Sequence, residues 1–139
     1  IKALVAKVDA AVARAPRPYD SRDSHRDRLF AILMQRVDYL QAQRGTYLGV
    51  IDAALRQPAL LPVLATALGG ALAQALRAAK MPHSPLHVGA VMLAYTATVA
   101  TWRNDTTADL AKTMRACDRA LNVLERAAQL TTARAAARH

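Results

Sequence analysis

His83 and His87 stand four residues apart, the spacing at which one helical turn can offer two imidazoles to one metal ion. Pro85 lies between them and no nearby carboxylate or thiolate completes a ligand set, so they read as loop and first-turn histidines. Ser84 and His87 are close in sequence, a pairing common by chance, no serine, histidine and acid arrangement stands out, and the chain has no glycine-rich phosphate loop. Asp105, Asp109 and Asp118 read as helix-end and surface charges rather than as paired catalytic carboxylates. Cys117 is the single cysteine, so there is no internal disulfide framework. It reads as a small buried hydrophobe and fits a reducing, cytoplasmic setting. These residues predict no enzyme, no metal site and no cofactor. The remaining chemistry is non-covalent: Tyr95 and Trp102 bring polar tips onto an apolar helical face, where they either orient a mostly apolar ligand or serve as core residues with satisfied tips.

The elements that carry these side chains are all helical in pattern. The chain has 139 residues, enough for one domain with a core of its own, and is 53% hydrophobic but only 4% aromatic. Alanine and leucine dominate its apolar content, which favours helices over sheets. Ile1, Leu4, Val5, Val8 and Val12 form a first helical stripe, ended by the linker "APRPYDSR". Ser24 or Asp23 can cap a second helix with Phe30, Leu33, Met34, Val37 and Leu40 in line. "RGT" is expected to break it before a short helix with Tyr47, Leu48, Ile51, Ala54 and Leu55 on one side. Pro58 is expected to start the next helix, which runs to about Lys80. Gly69 and Gly70 at its middle mark either a tight helix crossing or an opening beside a ligand. Ser84 caps the helix after that, with Pro85 as first helical residue, "RND" stops it, and the last helix is expected from near Thr107. Six helices result, and no run of period two is long enough for a strand.

Residues 85–102 carry no formal charge, yet Thr96, Thr98, Thr101 and His87 make them a poor membrane span. At 100° per residue, Val88, Val91, Met92, Tyr95, Val99 and Trp102 share a face of large side chains. Leu86, Gly89, Leu93, Ala97 and Ala100 share a mostly small one nearly opposite. The large face suits a core or cavity wall and the small face suits the close approach of another helix. In the last helix, Leu110, Met114, Cys117, Leu121 and Leu124 form one seam, and Thr113, Ala116, Ala120, Val123 and Ala127 a second. Two consecutive helices with surplus apolar face are what a homodimer built on a four-helix interface needs. The expected interface is Gly89, Leu93, Ala97, Ala100, Ala116, Ala120, Val123 and Ala127.

Net charge is +9 with pI about 10.6. Lysine supplies only Lys2, Lys7, Lys80 and Lys112, the other basic residues being arginine. This balance favours an anionic neighbour, nucleic acid or membrane headgroups, but the charges are scattered and fit a solvated surface equally well.

"RDRLFAILMQRVDYLQAQR" (Arg26 to Arg44), "LAYTATVATWRND" and "DLAKTMRACDRALNVLERA" (Asp109 to Ala127) resemble the C-terminal regulatory domain of TetR-type transcriptional regulators. The nearest subgroup is the one similar to the lipid-binding accessory protein of ubiquinone biosynthesis. The resemblance spans roughly Arg26 to Leu130. It implies an all-α, TetR-like domain of about six helices whose last two form the dimer and whose middle helices enclose a small apolar effector. It also implies that residues 1–14 link to a DNA-binding helix-turn-helix absent from this sequence, and that residues 15–139 bind effector and dimerise. DNA would be a partner only through that unit. The pocket expected on this basis is lined by Met34, Val37, Leu61, Leu64, Leu68, Leu72, Met92, Tyr95 and Trp102. The chain departs from the resemblance at "LGGALAQAL", where bulky residues are usual, and at Arg103 and Asn104. The alternative is an accessory protein that shields an isoprenoid or acyl chain and docks on a membrane by its basic surface. The tail "TTARAAARH" is too weakly amphipathic to supply a membrane helix.

Overall fold

Ser24 starts the first long helix: its backbone is extended (φ −62°, ψ 160°) and its hydroxyl accepts the Asp27 N–H at 3.2 Å, satisfying one of the orphan donors of a helix start. The structure, a computed structural model, describes residues 6–11, 17–20 and 22–137. Within these, α1 covers residues 6–11 and α2 covers His25–Ala42. Ile1, Leu4, Val5 and Val12 of the first predicted stripe, and part of the predicted linker, lie outside the described residues. The break after α2 falls at Gln43 (φ −131°, ψ 50°), so "RGT" opens α3 (Arg44–Arg56) instead of separating the helices. Pro58 begins a single 3-10 turn, Pro58–Leu60, and α4 proper runs Leu61–Ala78 with Pro62 in its first turn, where no N–H is needed.

The next connection is closed by backbone bonds at its start and by a serine hydroxyl at its end. Lys80 adopts φ 56°, Met81 N–H reaches Leu76 O at 2.9 Å, and Lys80 N–H reaches Arg77 O at 3.0 Å, the paired bonds of a Schellman ending. Ser84 then accepts the His87 N–H at 3.3 Å and α5 runs Pro85–Asn104. The last helix, α6, spans Ala111–Ala137 and does not begin near Thr107. The reason is Asp105, which is buried. One of its carboxylate oxygens takes the N–H and hydroxyl of Thr107, and the other takes the Thr113 N–H at 2.9 Å and hydroxyl at 2.8 Å. A cap delivered from eight residues away holds the loop 106–110 off the helix, with Leu110 at φ 55°.

The result is an all-α fold of six helices, with no strand among the described residues. Helix α5 is its axis, packing along α6 and against α4 and α2, while α2 also packs on α6 and α3. Leu33 and Val37 from α2, Leu72 and Leu76 from α4, Trp102 from α5, and Cys117 and Leu121 from α6 form the innermost core. Burial pushes the Cys117 thiol up, away from the thiolate form. Arg26 ties α2 to α6 through Asp118 and through Asn122 Oδ1 at 2.8 Å.

The two faces of α5 meet different surroundings. Val91, Tyr95 and Trp102 of the large face are buried, and Val88, Met92 and Val99 are partly so. The small face is bare: Leu86 is 81% and Leu93 71% exposed, with Ala97 and Ala100 exposed beside them. Among the described residues, the stretch long and apolar enough to cross a membrane is not this one but Pro58–Ala78, with mean hydropathy 1.7. Absence of charge alone did not rank the two, because threonines dilute the apolar content of α5. Along α4, exposure falls from Leu61 and Val63, which face solvent, through Leu64 and Leu68 to the buried Leu72 and Leu76. Its C-terminal half enters the core and its N-terminal half overhangs.

Candidate ligand cleft and apolar faces

The overhang of α4 leaves a cleft of about 120 Å³ between α1, α2, α3, α4 and α5. Its lining is almost wholly apolar: Leu40 from α2, Val50 and Ile51 from α3, Leu64 and Leu68 from α4, and Val99 from α5, with Val8 from α1 at one edge. The polar groups on it are Tyr47, Tyr95 and Arg36. Arg36 is buried, and its guanidinium carbon lies 5.9 Å from the centre of the Tyr95 ring. Burial pushes the Tyr95 phenol above its ordinary value, against the pull of Arg36, and so holds the hydroxyl in its neutral form. An Arg36 Nη nitrogen meets Asp9 Oδ1 of α1 at 2.9 Å. This is an ion pair without hydrogen-bond alignment: Asp9 Oδ1 and Arg36 Nε are both buried with no hydrogen-bond partner. Tyr39 adds a second tie to α1, donating to Ala11 O at 3.3 Å.

Trp102 lies away from the cleft and its tip is satisfied. Its Nε1–H donates to Gln41 Oε1 at 2.8 Å, and the Arg44 guanidinium stacks 4.8 Å from its ring. The same guanidinium donates to Trp102 O at 3.0 Å and Arg103 O at 2.9 Å, closing the C-terminal end of α5. Arg103, a departure from the family pattern, bonds Asp52 of α3 at 2.6 Å. Trp102 thus takes the core role that the sequence left open, and Tyr95 alone of the pair reaches the cleft.

Of the nine residues expected in a pocket, Leu64, Leu68 and Tyr95 are brought together on the cleft. Met34, Val37, Leu72 and Trp102 sit in the core, Met92 is partly buried against it, and Leu61 is exposed. Sequence reasoning missed Arg36. It lies three residues after Leu33 and four before Leu40, on the flank of the α2 stripe, and an arginine at that position is a readable signal. Tyr47 and Ile51 were placed on one side of the third helix, and they line the cleft together. At the middle of α4, Gly69 serves the crossing with α5: a Cβ there would stand 3.3 Å from Met92 Sδ, whereas Gly70 faces open space.

Five of the eight expected interface residues are exposed. Leu93, Ala97 and Ala100 of α5 and Val123 and Ala127 of α6 face solvent, while Gly89, Ala116 and Ala120 are partly covered. Leu130 continues the α6 seam at 64% exposure, and every residue over 125–137 is exposed. His87 Nδ1 pairs with Ser84 Oγ at 2.6 Å and His83 Nδ1 with Met81 O at 3.1 Å. Among the described residues no group of three His, Cys, Asp or Glu side chains could hold a metal ion. Compared with family models, curated proteins and solved structures, the chain matches none.

Proposed function

We propose that this chain is the effector-binding and dimerisation domain of a cytoplasmic TetR-type transcriptional regulator. In this reading two copies pair through a four-helix bundle of α5 and α6, and a helix-turn-helix outside these 139 residues binds DNA. The observation that carries it is the double duty of α5. Tyr95 and Val99 line the cleft, and Leu86, Leu93, Ala97 and Ala100 stand bare on the other side. One helix then touches both effector and partner, so a ligand that prefers one packing of α5 shifts the spacing of the pair. Helix α6 supports the same reading, because residues 126–137, about 18 Å of helix, are exposed throughout. Isolated helical turns of that length are marginal in water, and a partner helix stabilises them.

The test is a spin-label distance. Cys117 is buried, so a label on Lys7→Cys, an exposed α1 position, reports the separation of the two α1 helices in the dimer. Addition of a cleft-filling apolar ligand is expected to change that distance. An unchanged distance at saturation refutes switching.

A second reading, the lipid- or isoprenoid-binding accessory protein, draws on α4, whose apolar N-terminal half overhangs the cleft with Leu61 and Val63 exposed. Co-flotation with anionic vesicles separates the two, being expected for the accessory protein and not for the regulator.

A further inference from the structure

Residues 44–69 form one wall of the cleft, and little holds that wall in place. It consists of α3, the 3-10 turn and the first half of α4, and it supplies Tyr47, Val50, Ile51, Leu64 and Leu68 to the lining. Among the described residues 44–70, Ala54 is the one that is buried, and the core resumes at Ala71 and Leu72. Segments with so few buried apolar side chains open at a fraction of the cost of global unfolding.

Both ends of this wall are built to bend. At the first, Gln43 leaves helical geometry (φ −131°, ψ 50°) and gives α3 no side-chain cap. Arg44 anchors that pivot by donating to Trp102 O and Arg103 O at the end of α5. At the second, Gly69 and Gly70 stand side by side where α4 passes from exposed to buried. Gly69 serves the close approach of Met92, but Gly70 has open space at its Cβ and no positive φ. Alanine would fit there, so glycine weakens the helix without any return in packing. Such small-residue pairs are among the few places where helices kink sharply. Between the pivots, Arg103 and Asp52 tie α5 to α3 at 2.6 Å, with both side chains well exposed. An ion pair so exposed is a weak latch.

The cleft of about 120 Å³ is well below the roughly 300–1,000 Å³ of ordinary ligand pockets, so a ligand of usual size requires a wall to move. Resting on the reading that the cleft binds a ligand, we propose that residues 44–69 are a flap over it. The flap swings on Gln43 and Gly70, is latched by Asp52 on Arg103, and admits an apolar ligand when it opens. Opening draws Leu64 and Leu68 away from Tyr95 and Val99 on the opposite wall.

Native-state amide exchange tests the hinge without any ligand. A swing on Gly70 breaks the bonds from the amides of residues 70–73 to the carbonyls of 66–69 and spares those on either side. Protection is therefore expected to dip at 70–73, below both 65–68 and 75–78. Gly70→Ala is expected to raise protection at the dip by about two- to fivefold, and Asp52→Asn to lower it by up to about fivefold. Protection that climbs steadily from Ala65 to Ala78 is end fraying and overturns the flap. Stopped-flow binding of N-phenyl-1-naphthylamine, a neutral fluorophore too large for the closed cleft, tests the flap as a gate. The observed rate is expected to level off with dye concentration at the opening rate, and Gly70→Ala to lower that plateau by the same factor. A rate that rises in proportion to dye, or that ignores Gly70→Ala, overturns the gate. A dip in protection with no dye binding keeps the flap and overturns the ligand reading on which its role rests.

Discussion

Leu93→Arg puts the proposed dimer to its most direct test. Leu93 is 71% exposed in the single chain, so a partner that closes over it recovers most of the 1.5–3 kcal/mol that full burial of a leucine provides, about 1–2 kcal/mol. A two-fold pair buries the residue twice, and the substitution therefore removes about 2–4 kcal/mol from association, a weakening of Kd by about 30- to 700-fold. Sedimentation velocity from about 1 to 50 µM, with circular dichroism on the same samples, reads both consequences. The wild type is expected to sediment as a dimer and Leu93→Arg as a monomer that keeps its core helices, because Leu93 lies on the bare face of α5. Ala120→Arg is a less clean probe, since Ala120 packs partly on the chain's own core. A Leu93→Arg protein of unchanged dimeric mass would falsify the α5 half of the interface.

Asp105→Asn is expected to destabilise the fold near neutral pH and to lose its disadvantage in acid. The Thr107 hydroxyl foremost, with the bonds from Thr113, holds the Asp105 carboxyl well below the usual carboxylate range. A depressed pKa contributes stability that is fully present above the ordinary value near 4 and fades as pH falls below it. Urea midpoints that stay equally far apart from about pH 7 to pH 2.5 contradict this. Gly70→Ala is expected to stabilise by about 0.5–1 kcal/mol in thermal unfolding, because it sits inside α4 with open space at its Cβ. Gly69→Ala is expected to gain less, since Met92 must move. Gln41→Leu leaves the buried Trp102 N–H without its acceptor and is expected to cost about 1–3 kcal/mol in denaturant titrations, with a shifted Trp102 emission.

Local rules carried the reading wherever the physics was local. Ser24, Ser84 and Pro85 cap and open their helices as their residue types require, and the large and small faces of α5 fall inward and outward as 100° spacing places them. The start of α6 was not legible, because its cap reaches back to Asp105 across a loop that needs Leu110 at φ 55°, and nothing in "DTTADL" announces that conformation. The cleft was legible only in part. Leu64, Leu68 and Tyr95 follow from helical stripes, but Val37, Leu72 and Trp102 point to the same side and end in the core, since periodicity gives direction without depth. Arg36 became significant only once α1 was seen to bring Asp9 to it.

The bare length of α6 makes protein concentration a structural variable. Every residue over 126–137 is exposed in the single chain, so in the proposed pair the order of these turns is drawn from the second copy. Dilution through the dissociation constant would then unwind the end of α6 while Cys117 and Leu121 stay packed. Helicity per residue would rise with concentration at fixed temperature, and the chain's melting point would report how much of it is present as well as how well it is folded.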